Sequence, residues 1–359
     1  MIRVLTRYLA REIFGATAVV LLAFLGLFAF FDFINELDEV GKGGYELHHA
    51  LLYVAMILPG RVYELMPVAV LIGTLYALTT LARHSEITVM RAAGLSNARM
   101  LQALGGIGIA FVVLTFVFGE YIAPPAERAA QQWRLTATNS AVSNQLRSGL
   151  WVKDGPRFVN VRTVLPDRSM ENVRIYEFDE RHALLSVSEA ASGEYEPGEQ
   201  GWRLRQVRQT RFLGNRTEVV DLPDLQWQSD LTPEVLSVLM VVPERMSVTT
   251  LFAYVNHLRE NRQNADRYEI ALWKKLVYPF AALVMMALAL PFAFTHDRMG
   301  GVSMKVFLGV MLGVGFHLLN GLFSNLGVIN SWIPALAALT PSLLFLAAAA
   351  AMLFWVERR

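Results

Sequence analysis

The sequence predicts an α-helical membrane protein with six transmembrane helices and an inserted antiparallel β domain between the third and the fourth. Three observations predict it. Of 359 residues, 54% are apolar or aromatic and 18% are charged, with a mean hydropathy of +0.37; a soluble domain carries about 25% charged residues. The charge is segregated, because residues 121–270 hold 18 of the 32 Lys and Arg and 20 of the 31 Asp and Glu. Along the remaining chain, the Lys and Arg of the short loops fall on alternate sides of the apolar runs. This composition excludes a disordered chain and a basic nucleic-acid binder. The absence of cysteine excludes a thiolate nucleophile, an iron–sulfur cluster, a cysteine zinc site and a disulfide-stapled scaffold. The net charge of +1 averages two unlike regions and says nothing of partners.

A hydrocarbon core about 30 Å thick needs roughly 20 helical residues at 1.5 Å each. Residues 13–31, 100–119, 276–295, 306–326 and 332–356 contain no Asp, Glu, Lys or Arg. Residues 66–82 form a shorter uncharged run. Upstream of it, residues 50–58 are apolar but short, and they run into Pro59-Gly60, Arg61, Glu64 and Pro67. We read an interfacial helix, a break and then one crossing. Arg3, Arg7 and Arg11 before the first run resemble the start of a signal peptide. The run exceeds the usual ~7–15 residues and no small-residue cleavage site follows, so it reads as an uncleaved first span.

Orientation follows from the loops. With the N-terminus inside, the inner segments hold Arg3, Arg7, Arg11, Arg83, Arg91, Arg99, Arg298, Lys305, Arg358 and Arg359. The short outer segments hold Lys42 and Arg61 beside Asp32, Glu36, Asp38 and Glu39, and residues 324–331 carry no charge. Both termini are therefore expected in the cytoplasm and the polar block outside.

In the polar block, Pro124-Pro125 is expected to end the third span, and residues 127–137 read as helix. Short β-type runs follow at 150–153, 157–162, 173–179, 184–189, 202–207, 217–221 and 225–228, parted by turn signals such as Asp154-Gly155-Pro156 and Gly214-Asn215. Such spacing suggests a sandwich or a partly open β-roll. Val248, Leu251, Tyr254 and Leu258 then return to helical spacing, and Trp273, Lys274 and Lys275 lead back to the membrane. The expected organisation is residues 1–122 with three spans and a cytoplasmic helix near 83–94, residues 123–268 as the β domain, and residues 269–359 with the last three spans.

No phosphate loop, dinucleotide fingerprint or HExxH occurs. His48-His49 is adjacent and is read as presenting its rings on different helix faces, a poor metal pair. No catalytic residue, cofactor or metal is expected, so the chain reads as a non-catalytic subunit.

Four features invite function. Ser85, Glu86, Ile87, Val89, Met90, Arg91 and Gly94 build a short inner helix, with Ser85 as its cap and Gly94 at its close. Ile87 and Met90 give it an apolar stripe too small to own a core, so it docks on a partner or lies on the bilayer. Phe14, Phe24, Phe28, Phe30 and Phe31 crowd the first span as packing residues or as an acyl-chain wall. In the fifth span, Gly309, Gly313, Gly315 and Gly321 permit close helix approach. His317 and Asn320 there are read as interhelical hydrogen-bonding groups, with a gate contact as the other reading. Arg128 and Arg134 lie at the outer boundary, where guanidinium suits an anionic headgroup or simply anchors the helix.

The 3+3 layout resembles the LptF/LptG permeases of the lipopolysaccharide exporter over nearly the whole chain. The resemblance rests on Arg83-His84-Ser85-Glu86 leading to Met90-Arg91-Ala92-Ala93-Gly94, on Gly119-Glu120-Tyr121-Ile122-Ala123-Pro124, and on Gly149-Leu150-Trp151-Val152-Lys153-Asp154-Gly155. The last run looks more like LptG than LptF.

The resemblance implies a jellyroll-like periplasmic β domain in an inner-membrane ABC transporter permease. It implies an LptF-like permease partner, an LptB-like ATPase dimer, an LptC-like periplasmic bridge protein and lipopolysaccharide as cargo. Residues 85–94 would be the ATPase-coupling helix, with Glu86 at the family's acidic position. The first and fifth spans would line the lipid cavity, through Phe24, Phe28, Phe31, Phe307 and Met311. Lys42, Arg61, Arg128 and Arg134 would face the lipid phosphates. Asp32, Asp38 and Glu39 stand where some relatives carry lysine, which weakens phosphate contacts there. The competing readings are a mechanotransmission subunit that relays ATPase motion without carrying lipid, and a membrane-anchored assembly module.

Overall fold

The computed structural model describes residues 2–92, 97–138, 149–164, 169–179, 181, 183–196, 201–214, 216–229, 242–261, 263–294 and 302–357. Gly94, Arg298, Arg358 and Arg359 lie outside the described residues, and so does the side chain of Arg91. Among the described residues, six helical segments are long and apolar enough to cross a membrane. They run α1 (Ile2–Glu36), α2 (Leu47–Arg83), α4 (Asn97–Val117) continued by a π turn and α5 (Ala123–Ala137), α7 (Asp266–Phe294), α8 (Val302–Ile329) and α9 (Pro334–Glu357). The short α3 (Glu86–Ala92) joins α2 to α4. Among the described residues between α5 and α7 lie six strands and the helix α6 (Val248–Glu260).

Two expected breaks are absent. Residues 47–83 form one helix with Pro59 and Pro67 inside it, not an interfacial helix followed by a crossing. At 1.5 Å per residue this is about 55 Å long, well beyond a ~30 Å hydrocarbon core. The charges that seemed to interrupt the span are satisfied by neighbours. Arg61 is paired with Asp32 of α1 and with Glu64 one turn on. The Tyr278 hydroxyl of α7 donates to the Glu64 carbonyl, in the turn that Pro67 distorts. Nor does Pro124-Pro125 end the third span in a loop. A π turn (Phe118–Ile122) leads straight into α5, whose first turn takes the prolines, where no intrahelical N–H is needed.

Small residues set the helix packing. A Cβ on Gly73 would lie 2.6 Å from the Thr17 backbone, so α1 and α2 touch main chain to main chain. A Cβ on Gly309 or Gly313 would meet Leu75 at 2.6 Å or Val68 at 2.5 Å, which seats α8 on another side of α2. Asn320 is buried, but its amide donates to the Phe316 carbonyl of its own helix, so it makes an intrahelical rather than an interhelical bond. His317 faces outward.

The inserted domain is one antiparallel sheet in chain order: β1 (Leu150–Asp154), β2 (Arg157–Val164), β3 (Met170–Phe178), β4 (Leu184–Glu196), β5 (Gly201–Leu213) and β6 (Arg216–Gln228). Alternation buries one face, centred on Val159, Val161, Ile175, Trp202, Leu204 and Trp227. The expected strands 217–221 and 225–228 are a single β6, because Pro223 falls where pairing lapses anyway. That lapse runs across five strands through Arg162, Asn172, Ala191, Gln206 and Pro223 without a change of register. Asn172 and Gln206 sit on this line at φ 52° and 53°. A row of interrupted ladder bonds is where a sheet bends about its buried face, which suits a jellyroll-like domain.

Candidate functional site

Three groups of residues qualify: a polar belt at the sheet end of the bundle, the outward faces of α1 and α8, and α3 at the opposite end.

The belt forms where α1 ends and α2 and α5 begin or end beside it. Arg134, near the end of α5, reaches Glu36 at 3.0 Å and Glu39 at 3.1 Å, and its guanidinium lies over the Tyr53 ring at 5.5 Å. Tyr45 donates to the same Glu36 oxygen that Arg134 Nε meets, its hydroxyl 3.0 Å from Oε1. Burial, reinforced by the Glu36 acceptor, pushes the Tyr45 hydroxyl above its ordinary pKa. A turn deeper, Arg61 grips Asp32 with two N–H groups at 2.9 and 2.6 Å and Glu64 with a third at 2.9 Å, while it lies over Phe28. A bidentate pair of this kind is among the stronger charge-assisted contacts.

The four cations expected to face phosphate therefore divide. Arg61 and Arg134 are engaged by carboxylates of α1 and the turn after it. Lys42 is exposed with one ion pair, to Glu39 at 3.2 Å. Arg128 is exposed and donates from Nε to the Pro124 carbonyl at 3.3 Å. Charge alone identified Arg134, but nothing in sequence spacing marked Glu36 as its partner.

The apolar faces are broad. Phe31 is 52% exposed, Phe307 57% and Met311 54%, whereas Phe24 and Phe28 are half-buried. On α8 the face continues through Val314, Leu318 and Leu322 at helical spacing; on α1 it includes Val19, Leu22 and Leu27. These aliphatic residues were missed because the phenylalanines drew attention. Phe14 is also turned to α4, stacked on Phe111 at 4.3 Å between centroids.

At the other end, Ser85 precedes α3 with φ +62°, and its carbonyl accepts from the Val89 N–H. Ile87 is turned inward, into the core of Leu78, Leu81, Met100 and Leu104. Val89 is 66% exposed, and Met90 is half-buried. Thus the outward apolar residue of this helix is Val89. Glu86 accepts a hydrogen bond from Tyr8 of α1 at 2.9 Å, a partner that sequence separation concealed.

His48 and His49 do not diverge, since their rings lie 3.9 Å apart. The capping box draws His49 back, its Nδ1 accepting the Glu46 N–H at 3.0 Å.

Comparisons with known proteins agree with this architecture. The family described as "Lipopolysaccharide export system permease LptF/LptG" matches residues 7–355. The LptG permease protein of Haemophilus influenzae is 32% identical over 360 residues, which covers 100% of this chain and 99% of that protein. The LptG protein of Escherichia coli K12 is 32% identical over 344 residues, 95% of each chain. The LptF protein of the same strain is 22% identical over 363 residues, 98% of this chain and 95% of that protein.

Proposed function

The chain belongs to the lipopolysaccharide export permease family LptF/LptG, nearer to LptG than to LptF, and from that premise we propose that it is the LptG-type half of an ABC transporter. In this reading it draws lipopolysaccharide from the outer leaflet of the inner membrane and passes it to a periplasmic bridge. It carries no ATPase of its own. An LptB-like dimer hydrolyses ATP, an LptF-like permease faces it across the cavity, and an LptC-like protein receives the lipid. Both termini lie in the cytoplasm, and residues 123–268 form the periplasmic unit.

The observation that carries the proposal is the match over residues 7–355 to a chain whose spans present wide apolar faces on α1 and α8. A helix end with Glu86 tied to α1 and Val89 exposed supports α3 as the coupling helix. Ser85, Met90, Arg91 and Gly94 complete that segment. Acyl chains would lie against Phe31, Phe307 and Met311, with Phe24 and Phe28 behind them. Phosphate would meet Arg128 and Lys42 directly. It would reach Arg134 or Arg61 only by displacing Glu36 and Glu39, or Asp32.

The test is reconstitution. The purified chain alone should hydrolyse no ATP. With its permease partner and ATPase in proteoliposomes it should release lipopolysaccharide to a soluble acceptor in an ATP-dependent manner. Robust ATP turnover by the chain alone, or release that persists when the chain is omitted, would overturn the proposal.

A further inference from the structure

The return segment from the sheet to the bundle is fastened at both ends by side chains that neither the lipid faces nor the coupling helix use. Glu120, in the π turn, accepts the Val248 N–H at 2.8 Å. It thereby caps α6 across 128 positions of sequence, beside the local cap from Ser247 to the Thr250 N–H. About two turns further along the third span, buried Glu127 pairs with Arg245, three residues before α6 begins. Next to Glu120, Gly119 lets the π turn close on α2, since a Cβ there would lie 2.5 Å from the Tyr63 ring. Along its length α6 packs Leu251, Tyr254, Val255 and Leu258 against the start of α7.

At the far end, Asn261 holds the β1–β2 turn twice. Its side-chain oxygen accepts the Gly155 N–H at 2.9 Å, and its carbonyl accepts Lys153 Nζ at 3.2 Å. The charges match the helix, with an anion at the N-terminus of α6 and a cation at its C-terminus. The third span, α6 and the first hairpin of the sheet are thus joined end to end over about 20 Å of helix.

We propose that α6 is a rigid relay: Glu120 and Glu127 fix its entry to the third span, Asn261 fixes its exit to the β1–β2 turn, and the sheet tilts with the bundle. Glu120 and Asn261 are positioning residues. The relay itself stands apart from the transport role; its effect on lipid transfer rests on that role.

The test uses the full chain, assembled with its permease partner and ATPase in nanodiscs containing lipopolysaccharide. The chain has no cysteine, so Ala129→Cys on α5 and Thr217→Cys on β6 accept the only spin labels on it. The unmodified chain should give one narrow distance. Glu120→Ala and Asn261→Ala should each broaden it and lower crosslinking of lipopolysaccharide at the sheet, relative to the bundle, roughly tenfold. ATP hydrolysis should be retained. Because the two fastenings act in series, the double variant should be no worse than either. Glu120→Gln and Asn261→Asp keep an acceptor oxygen and should restore both readouts.

A distance that stays narrow in both alanine variants overturns the relay. So does a double variant about a hundredfold down, which marks two independent local contacts. If Glu120→Ala fails to accumulate, the exposed exit contact decides through Asn261→Ala and Asn261→Asp. If the unmodified complex crosslinks no lipopolysaccharide at all, the transport role fails, while the label distances still decide the relay.

Discussion

The spans α2 and α7 are made of the same residue types as α1 and α8, yet they meet different surroundings. In the most apolar stretch of each, 72% of α2 and 67% of α7 is buried within the chain, against 11% of α1 and 22% of α8. Apolar length places a helix in a bilayer; it does not say whether lipid or protein lies beside it. The small residues do. Gly73 meets the α1 backbone and Gly309 meets Leu75, while Gly15, Gly26, Gly315 and Gly321 have nothing within 4 Å of a built Cβ. The first group is packing. The second lies on the faces that we assign to cargo or partner.

The sharpest way to break this contrast is a pair of identical substitutions. Gly73→Leu should destabilise by more than ~3 kcal/mol, since neither backbone can yield. Gly26→Leu should stay within about 0.5 kcal/mol of the unmodified chain. Thermal unfolding in detergent measures both, and equal losses would erase the distinction between inner and outer spans.

The next effect concerns charge between these two classes of helix. Asp32→Asn leaves Arg61 half-gripped in a partly buried site. It should cost about 2 kcal/mol, less than the roughly 3–5 of a fully buried pair. Arg61→Gln with Asp32→Asn together should cost less than the sum of the single changes. An additive result would mean that the ion pair does not join α1 to α2.

Glu86→Ala should leave stability nearly unchanged, because its contact with Tyr8 is exposed, but should lower ATP-driven release well below half. Tyr8→Phe should give a smaller loss, read in the same proteoliposomes, because it removes only the tie to α1. Equal release by both variants and the unmodified chain would detach α3 from coupling. The smallest change is Lys42→Ala, whose exposed pair with Glu39 contributes at most ~1 kcal/mol. Unfolding should not detect it.

How much of this was legible depends on sequence distance. The six spans, the antiparallel strands and the helix at 248–258 follow from local periodicity and were readable. The continuity of α2 was not, because Asp32, which engages Arg61, lies on another span. The merging of the last two strand runs was hidden for a similar reason: Pro223 is tolerable only because a line of lapsed pairing crosses its neighbours. Two of the arginines chosen for headgroups, Arg61 and Arg134, are held by carboxylates. Their carboxylate partners, Asp32 and Glu36, read in sequence only as acidic residues of a short outer segment. Glu120 enters only within a family-like motif and Glu127 only as the start of a helical run, because nothing local shows that the fold carries residues 245–248 back beside them.

The proposed transport role requires that the open face of α8 touch cargo. Photo-crosslinkers at Met311, exposed on α8, and at Met285, fully buried on α7, would be compared in native membranes with the ATPase active and inactive. A lipopolysaccharide adduct at 311 whose yield changes with ATPase state, and none at 285, is the expected result. Adducts of ordinary phospholipid alone at 311, whatever the ATPase does, would contradict it.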